Sequence, residues 1–326
     1  MKTVVFGAGS LGCYLAHALV KAGNDVTVVA RGAWGETIAK NGITIRHVLQ
    51  RRTTCDHVRV VGTLTEAGAA DVVFAVMQQG QMLAVLPDIA AADALLVVLV
   101  GNSLHVDGEL AYLEEHAPQK TVLFGFQATA GRREADHVEC ARAGASGLTV
   151  GAAQGEAPAA ARATLDRVFA EGSYKPSYQA DMRDWLVCHA AAVLPFCYVA
   201  YRRDCDLTQA TPDELADLID ATGEAYNVLS TLGYRILPED EEGFYKPGAK
   251  HALWYLILRI ISKTAVGRLC VTDHCRAGTH EMRELDRDFM SLVDALPHRH
   301  MPTWDALRAA MPGWDELEER WNRKAN

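Results

Sequence analysis

Gly7-Ala8-Gly9-Ser10-Leu11-Gly12 is the stretch that decides the fold. It has the pattern G-x-G-x-x-G and follows a short apolar run, Thr3 to Phe6, at the start of an amphipathic segment that ends near Lys21. Between a strand and a helix, the first glycine permits a tight turn, the second lets the backbone approach a pyrophosphate, and the third lets the helix pack closely on the strand. The helix N-terminus adds N–H groups that suit phosphate oxygens. We therefore predict that the following residues bind a dinucleotide: Gly7, Gly9, Ser10, Leu11 and Gly12.

The tip of the second predicted strand indicates which dinucleotide is bound. The chain there reads Val28-Val29-Ala30-Arg31-Gly32, with no carboxylate at the tip. NAD sites usually have Asp or Glu at this place to accept a hydrogen bond from the ribose 2′-hydroxyl. A guanidinium group instead suits a 2′-phosphate, so Arg31 favours NADP(H) over NAD as the cofactor.

The first half of the chain alternates between β-rich runs and helical segments. After the first strand, further apolar runs lie at 25–30, 71–76, 95–100 and 121–126. Such alternation predicts a mainly parallel sheet covered by helices on both faces, which is a Rossmann-type α/β domain. Three shorter strands are predicted to extend the same sheet, at 43–45, 58–61 and 148–151.

Polar residues follow two of these strands. Met77 and Gln78 come directly after the run at 71–76, and Asn102 follows the wholly apolar run at 95–100. Ligands of open parallel sheets lie beyond the carboxyl ends of the strands. We expect Met77, Gln78 and Asn102 to line the cofactor site, although the glutamines at 78 and 79 also fit an ordinary polar loop.

The second half is predicted to be all helical. Long helical patterns cover 182–201, 213–232, 249–269 and 280–296. We place the domain boundary so that residues 1–178 form the NADP-binding domain and residues 179–326 form a helical substrate or dimerisation domain. A cleft between them is expected to hold the substrate. The formal charge is −2 for the first part and −7 for the second.

Composition excludes several classes of protein. The 326 residues carry a net charge of −9, which argues against nucleic acid as a partner. No run of about 18 uninterrupted apolar residues predicts a membrane span, and the N-terminal apolar run is too short for a signal peptide. The eight cysteines form no CxxC pair and no zinc-ligand spacing. These features predict a cytoplasmic protein with free thiols and no metal site.

The chain resembles the ketopantoate reductase (2-dehydropantoate 2-reductase) family. The resemblance rests on the glycine motif, on Val29-Ala30-Arg31-Gly32, and on Asn102 with Glu109 seven residues later. It continues at Asp181-Met182-Arg183-Asp184-Trp185-Leu186 and, more loosely, at Asp273 and Glu281. The resemblance implies a Rossmann domain followed by a helical domain, and hydride transfer from NADPH to a 2-keto acid. It also implies a proton-donating lysine in the first helix of the second domain.

The chain departs from this family pattern on the substrate side. No lysine lies between Lys175 and Lys246, and the place of a second family lysine is Met77. His189 lies one helical turn after Trp185 and has an ordinary pKa suited to proton transfer near neutral pH. We therefore name His189, Asn102 and Glu281 as candidate catalytic residues. A core histidine and a solvated glutamate are the plainer alternatives for His189 and Glu281.

Two functions from different classes remain open. The first is an NADPH-dependent reductase that converts a small 2-keto acid or related carbonyl compound to the alcohol. The second is a non-catalytic NADP(H)-binding redox sensor or subunit, which the missing lysines favour. Neither involves nucleic acid or a membrane, and in both the helical domain is a candidate homodimer surface.

Overall fold

The structure is a computed structural model that describes residues 1–142, 147–264, 267, 271, 275–276 and 278–322. It divides the chain into two compact units, Met1–Arg183 (unit 1) and Asp184–Asn326 (unit 2). Unit 1 contains strands and helices, and the regular elements described in unit 2 are helical. The predicted fold class, an α/β domain followed by a helical region, is confirmed.

Twelve strands are described, all in unit 1. They are β1 (Lys2–Phe6), β2 (Asp25–Val29), β3 (Ile43–His47), β4 (Arg52–Asp56), β5 (Arg59–Val61), β6 (Val72–Val76), β7 (Leu96–Val100), β8 (Thr121–Gln127), β9 (Ala130–Arg133), β10 (Val138–Ala141), β11 (Leu148–Gly151) and β12 (Pro176–Tyr178). The helices described before Arg183 are α1 (Ser10–Lys21), α2 (Gly32–Asn41), α3 (Leu64–Ala67), α4 (Gln79–Ala91), α5 (Val106–His116) and α6 (Ala159–Val168).

The main sheet of unit 1 has eight strands in the order β12-β11-β8-β7-β6-β1-β2-β5. Its central pairs are parallel, and only the β11–β8 pair is antiparallel. Every residue of β6 and β7 is buried, which is the pattern of strands covered by helices on both faces. The carboxyl ends of β7, β6, β1 and β2 therefore lie side by side at one edge.

One predicted strand lies in a different sheet. The segment at 43–45 was expected to extend the main sheet, but it is β3 of a separate four-stranded sheet ordered β4-β3-β10-β9. β3 pairs antiparallel with β4 and parallel with the distant β10. Buried and less buried residues alternate along β3, and this pattern is compatible with either sheet. The pairing with β10 could not be predicted from the residues of β3 alone, because it depends on a segment distant in the chain.

A buried polar cluster lies where this second sheet packs on α1. His17 Nδ1 lies 2.5 Å from Asp56 Oδ2, and Lys21 Nζ lies 3.0 Å from Asp56 Oδ1. The rings of His17 and His47 have centroids 5.0 Å apart, and His47 Nε2 lies 2.8 Å from the Thr54 hydroxyl. Burial opposes ionisation of Asp56, but its hydrogen bonds with His17 and Lys21 leave the pKa of its carboxyl below the ordinary value.

Helix α7 (Met182–Arg202) begins at the end of unit 1, and the other main α-helices described in unit 2 follow it. They are α8 (Pro212–Thr231), α9 (Ala249–Ile261), α10 (Thr279–Val293), α11 (Pro302–Ala310) and α12 (Trp314–Asn322). Helix α9 ends at Ile261, earlier than the predicted 269. Helix α7 is long and apolar enough to span a membrane, but 72% of its most apolar 18-residue window is buried within the protein, as in a core helix.

A buried carboxylate joins four helices of unit 2. Asp286 on α10 accepts a hydrogen bond from Tyr198 of α7 (2.6 Å) and from Trp314 of α12 (3.1 Å). Arg308 of α11 donates to both oxygens of the same carboxylate, from Nε to Oδ1 at 2.8 Å and from Nη2 to Oδ2 at 2.7 Å. Asp286 is only 1% exposed, so its charge is compensated entirely by these partners.

Candidate functional site

The glycine motif forms a tight turn between β1 and α1. Gly7 has φ +109°, and a Cβ atom there would lie 2.3 Å from the carbonyl oxygen of Val76. A Cβ atom on Gly12 would lie 1.8 Å from the carbonyl oxygen of Gly7. These two positions therefore require glycine for the fold itself.

Gly9 differs from the other two glycines of the motif. A Cβ atom there would meet no described atom within 4 Å, and the residue is exposed as the N-cap of α1. Ser10, Leu11 and Gly12 form the first turn of that helix, where N–H groups have no partner within the helix. Among the described residues, no side chain caps this helix. Open space in front of a bare helix N-terminus fits the pyrophosphate of a dinucleotide.

The predicted cofactor residues of the neighbouring strands lie at the same edge. Gly7 N donates to Val29 O at 3.3 Å, which connects the glycine turn to the end of β2. The Cβ position of Gly7 is 3.7 Å from Met77 Cε, and that of Gly101 is 2.5 Å from Met77 O. The structure thus brings the ends of β1, β2, β6 and β7 together. Asn102 follows Gly101, and Gln78 is the N-cap of α4.

Arg31 is the N-cap of α2 and is exposed. Its guanidinium group forms no ion pair with any described residue, and the first turn of α2 contains no acidic residue. An unpaired cation at this strand end is available to an anionic group of a ligand.

The loop after β7 is held by a buried carboxyl group. The Ser103 hydroxyl donates to Glu109 Oε1 at 2.8 Å and accepts from His105 N at 3.1 Å. Leu104 N donates to Gln79 Oε1 at 2.8 Å. Glu109 is fully buried, its Oε2 has no hydrogen-bond partner, and burial raises the pKa of its carboxyl above the ordinary value of 4.5. This network fixes the backbone directly after Asn102.

Three residues around the glycine turn were not predicted from the sequence. Trp34 Nε1 donates to Ala8 O at 2.7 Å, and Gln127 Nε2 donates to Leu11 O at 3.2 Å. The guanidinium carbon of Arg133 lies 5.5 Å from the Trp34 ring centroid. Gln127 directly follows the predicted strand at 121–126, so the rule that selected Asn102 could have found it; Trp34 and Arg133 carry no such local signal.

His189 and Glu281 lie in unit 2 on different helices. His189 of α7 stacks on Trp185, with ring centroids 5.1 Å apart and an interplanar angle of 5°. Glu281 is buried in the first turn of α10, next to Met282, whose sulfur lies 3.4 Å from Cys197 Sγ of α7. Asp273, the other late acidic position of the family resemblance, lies outside the described residues.

No cluster of three or more His, Cys, Asp or Glu side chains suited to a metal ion occurs within the described part of the chain.

Residues 3–155 match the family model described as ketopantoate reductase PanE/ApbA. A 2-dehydropantoate 2-reductase from Mesorhizobium japonicum is 37% identical over 107 residues, which are 32% of this chain and 32% of that protein. The matched segment thus spans about a third of the relative's length. The residues matched by the family model all lie within unit 1.

Solved structures are similar over nearly the full length. A PanE/ApbA family ketopantoate reductase from Ralstonia eutropha JMP134 has a TM-score of 0.73 at 18% identity, covering 99% of this chain and 100% of that one. The 2-dehydropantoate 2-reductase from Methylococcus capsulatus has a TM-score of 0.68 at 18% identity, covering 98% and 97%. D-mandelate dehydrogenase, solved with NADH and anilino(oxo)acetate, has a TM-score of 0.70 at 16% identity, covering 99% of each chain. At these identities the likeness shows a shared fold.

Proposed function

We propose that this chain, whose residues 3–155 are a domain of the ketopantoate reductase PanE/ApbA family, is an NADP(H)-dependent oxidoreductase that reduces a small 2-keto acid or related carbonyl compound to the alcohol. The observation that carries the proposal is the contrast among the three glycines. Two are required by backbone contacts, whereas the Cβ direction of Gly9 is open. A glycine that the fold does not need, at a bare helix N-terminus, is explained by a ligand that approaches the backbone closely.

The residues at the strand ends have separate proposed roles in binding. The amides of Gly9, Ser10 and Leu11 would hold the pyrophosphate, and Arg31 would hold the 2′-phosphate that distinguishes NADP(H) from NAD(H). Met77, Gln78 and Asn102 would border the nicotinamide end. The family resemblance implies NADPH, whereas D-mandelate dehydrogenase, which shares the fold, was solved with NADH, so the preference for NADP(H) rests on Arg31.

Carbonyl reduction requires a proton as well as a hydride. Bound NADPH would supply the hydride to the carbonyl carbon, and a protein group must supply the proton to the carbonyl oxygen. α7 contains no lysine, and His189 is the residue of that helix with an ordinary pKa near neutral pH. We assign the proton to His189, whose ring is held in one plane by Trp185. Asn102 would donate a hydrogen bond to the substrate or nicotinamide, and Glu281 would contact the substrate.

The alternative is a non-catalytic NADP(H)-binding sensor or subunit. The observation that favours it is the absence of lysine from residues 176–245, since the family resemblance implies a lysine as the proton donor. Under this alternative the cofactor residues keep their roles, and His189 and Glu281 are core residues.

One experiment separates the two functions. NADPH binding is measured by calorimetry, and carbonyl-dependent NADPH oxidation is followed with aliphatic 2-keto acids, aromatic 2-keto acids and aldehydes. The aromatic compounds belong in the panel because D-mandelate dehydrogenase shares the fold. Binding with turnover supports the reductase. Binding without any turnover supports the alternative, and a lack of binding contradicts both.

A further inference from the structure

A second arginine, Arg133, contacts the ring of Trp34, which lies three residues after Arg31, and it pairs with no described acidic residue. Arg133 is the last residue of β9 and is exposed, and it forms no ion pair with any described residue. Its neighbour Arg132, in contrast, pairs with Glu134 at 2.6 Å and with Glu139 at 2.9 Å. In a chain with a net charge of −9, two unpaired guanidinium groups in one region indicate an anion site.

Trp34 connects the two arginines. It lies in the first turn of α2, and Arg31 is the N-cap of the same helix, so both residues lie at the N-terminal end of α2. The Arg133 guanidinium carbon lies 5.5 Å from the Trp34 ring centroid, within the range of a cation–π interaction. This contact holds a flexible side chain next to the first turn of α2 and reduces the entropy lost when it binds an anion.

The same residues lie against the glycine turn. Trp34 Nε1 donates to Ala8 O at 2.7 Å, which fixes the indole relative to the turn. β9 passes the start of α1, since a Cβ atom on Gly131 would lie 3.4 Å from Ser10 Cβ. Arg133 therefore lies near the proposed pyrophosphate-binding turn by two routes. Its side chain contacts Trp34, which is hydrogen-bonded to the turn. Its strand, β9, passes the start of α1.

We infer that Arg133, held on Trp34, is a second cation for the adenosine 2′-phosphate and determines, together with Arg31, the preference for NADPH over NADH. The inference rests on the proposed function and adds residues to its cofactor site. A phosphate monoester carries nearly two negative charges at neutral pH, so one arginine leaves part of that charge unpaired. Two guanidinium groups neutralise it and supply charge-assisted hydrogen bonds from two directions.

The test uses two nucleotides that differ only in the 2′-phosphate. Adenosine 2′,5′-bisphosphate and adenosine 5′-monophosphate are titrated into the full-length protein and into Arg31→Gln, Arg133→Gln and Arg133→Lys. Arg132→Gln is the matched control, because it removes the same charge from the adjacent position, where the charge is already paired.

We expect Arg133→Gln to weaken binding of the bisphosphate about tenfold to hundredfold, with less than about a twofold change for the monophosphate. Arg133→Lys should recover part of the loss, since it keeps the charge without the planar fork. Arg132→Gln should leave the ratio of the two affinities unchanged.

The outcomes distinguish this inference from the proposed function. If Arg133→Gln leaves the ratio of the two affinities unchanged while Arg31→Gln lowers it, the role of Arg133 is overturned and the NADP(H) site stands. If the wild-type protein binds both nucleotides equally, the preference itself is overturned, although dinucleotide binding stands. If it binds neither nucleotide nor NADPH, the proposed function fails together with the inference.

Discussion

The carbonyl oxygen of Gly7 lies where a side chain on Gly12 would begin, because a Cβ atom on Gly12 would be 1.8 Å from it. The third glycine of the motif is therefore a packing requirement between α1 and the turn that precedes it. Gly9 has no such constraint, since its Cβ direction is open to 4 Å. One motif thus contains positions that the fold requires and one that a ligand would explain.

The first prediction compares alanine at these two glycines. We expect Gly12→Ala to lower the free energy of unfolding by about 3 kcal/mol or more, because backbone atoms would have to move apart. Gly9→Ala should change it by less than about 1 kcal/mol but weaken NADPH binding at least about tenfold. Denaturant unfolding and calorimetry give the two quantities. Unchanged NADPH affinity in Gly9→Ala would remove the main support for the cofactor site.

The second prediction concerns the acid sensitivity of the buried polar cluster of His17, Asp56 and His47, where the second sheet packs on α1. Burial, and then the charges of His17 and Arg52, lower the pKa of His47 from 6.5 to about 4, with a further lowering by Arg142 and an opposing effect of Asp56. A histidine whose pKa is lowered in the folded state binds fewer protons there than in the unfolded chain. The contribution of His47 to the free energy of unfolding should therefore be fully present above about pH 6.5 and be lost as the pH decreases toward about 4.

His47→Gln should remove this part of the pH dependence. Between about pH 6.5 and about pH 5 the wild type should lose about 2 kcal/mol through this one group, and the variant should lose correspondingly less. The free energy of unfolding is measured at each pH for both proteins. His57→Gln is the control, because His57 is exposed, and its slope should match the wild type. Equal slopes in all three proteins would contradict the assignment.

The third prediction has the opposite sign with pH. Burial raises the pKa of Glu109 above 4.5, against the lowering effects of its Ser103 hydrogen bond and the charge of His105. The stability that comes from the protonated acid is complete below 4.5 and is lost as the pH rises through the folded-state pKa. We expect Glu109→Gln, which cannot ionise, to gain stability relative to the wild type as the pH rises from about 5 to about 8. Thermal unfolding of both proteins across this range gives the difference, and a difference that does not grow with pH would show that Glu109 is ionised in the fold.

The fourth prediction assigns the proton donor. If a carbonyl substrate is turned over, His189→Ala should lower kcat about a hundredfold or more, because general acid catalysis contributes at least that much. NADPH affinity should be unchanged. His300→Ala is the matched control, since His300 is an exposed histidine of the same unit, and it should keep full activity. Wild-type turnover in His189→Ala would exclude His189 from the reaction.

The sheet edge where the predicted cofactor residues lie could be predicted from the sequence because its signals are local. Gly7 and Gly12 meet the backbone requirements of one tight turn, and the apolar runs that precede Met77 and Asn102 mark the ends of buried parallel strands. The parallel pairing then places these ends side by side. The substrate side has no comparable pattern, and the roles of His189 and Glu281 therefore remain predictions.

The sequence by itself determined the α/β order, the glycine turn and the position of Arg31, because these depend on backbone conformation and on periodicity over a few residues. Only the tertiary structure decided that β3 pairs with β10 in a second sheet, that Glu109 is buried beneath the Asn102 loop, and that Arg133 lies over Trp34. Each of these contacts joins segments through packing and strand register. Their free energy depends on partners distant in the chain, so no local pattern encodes them.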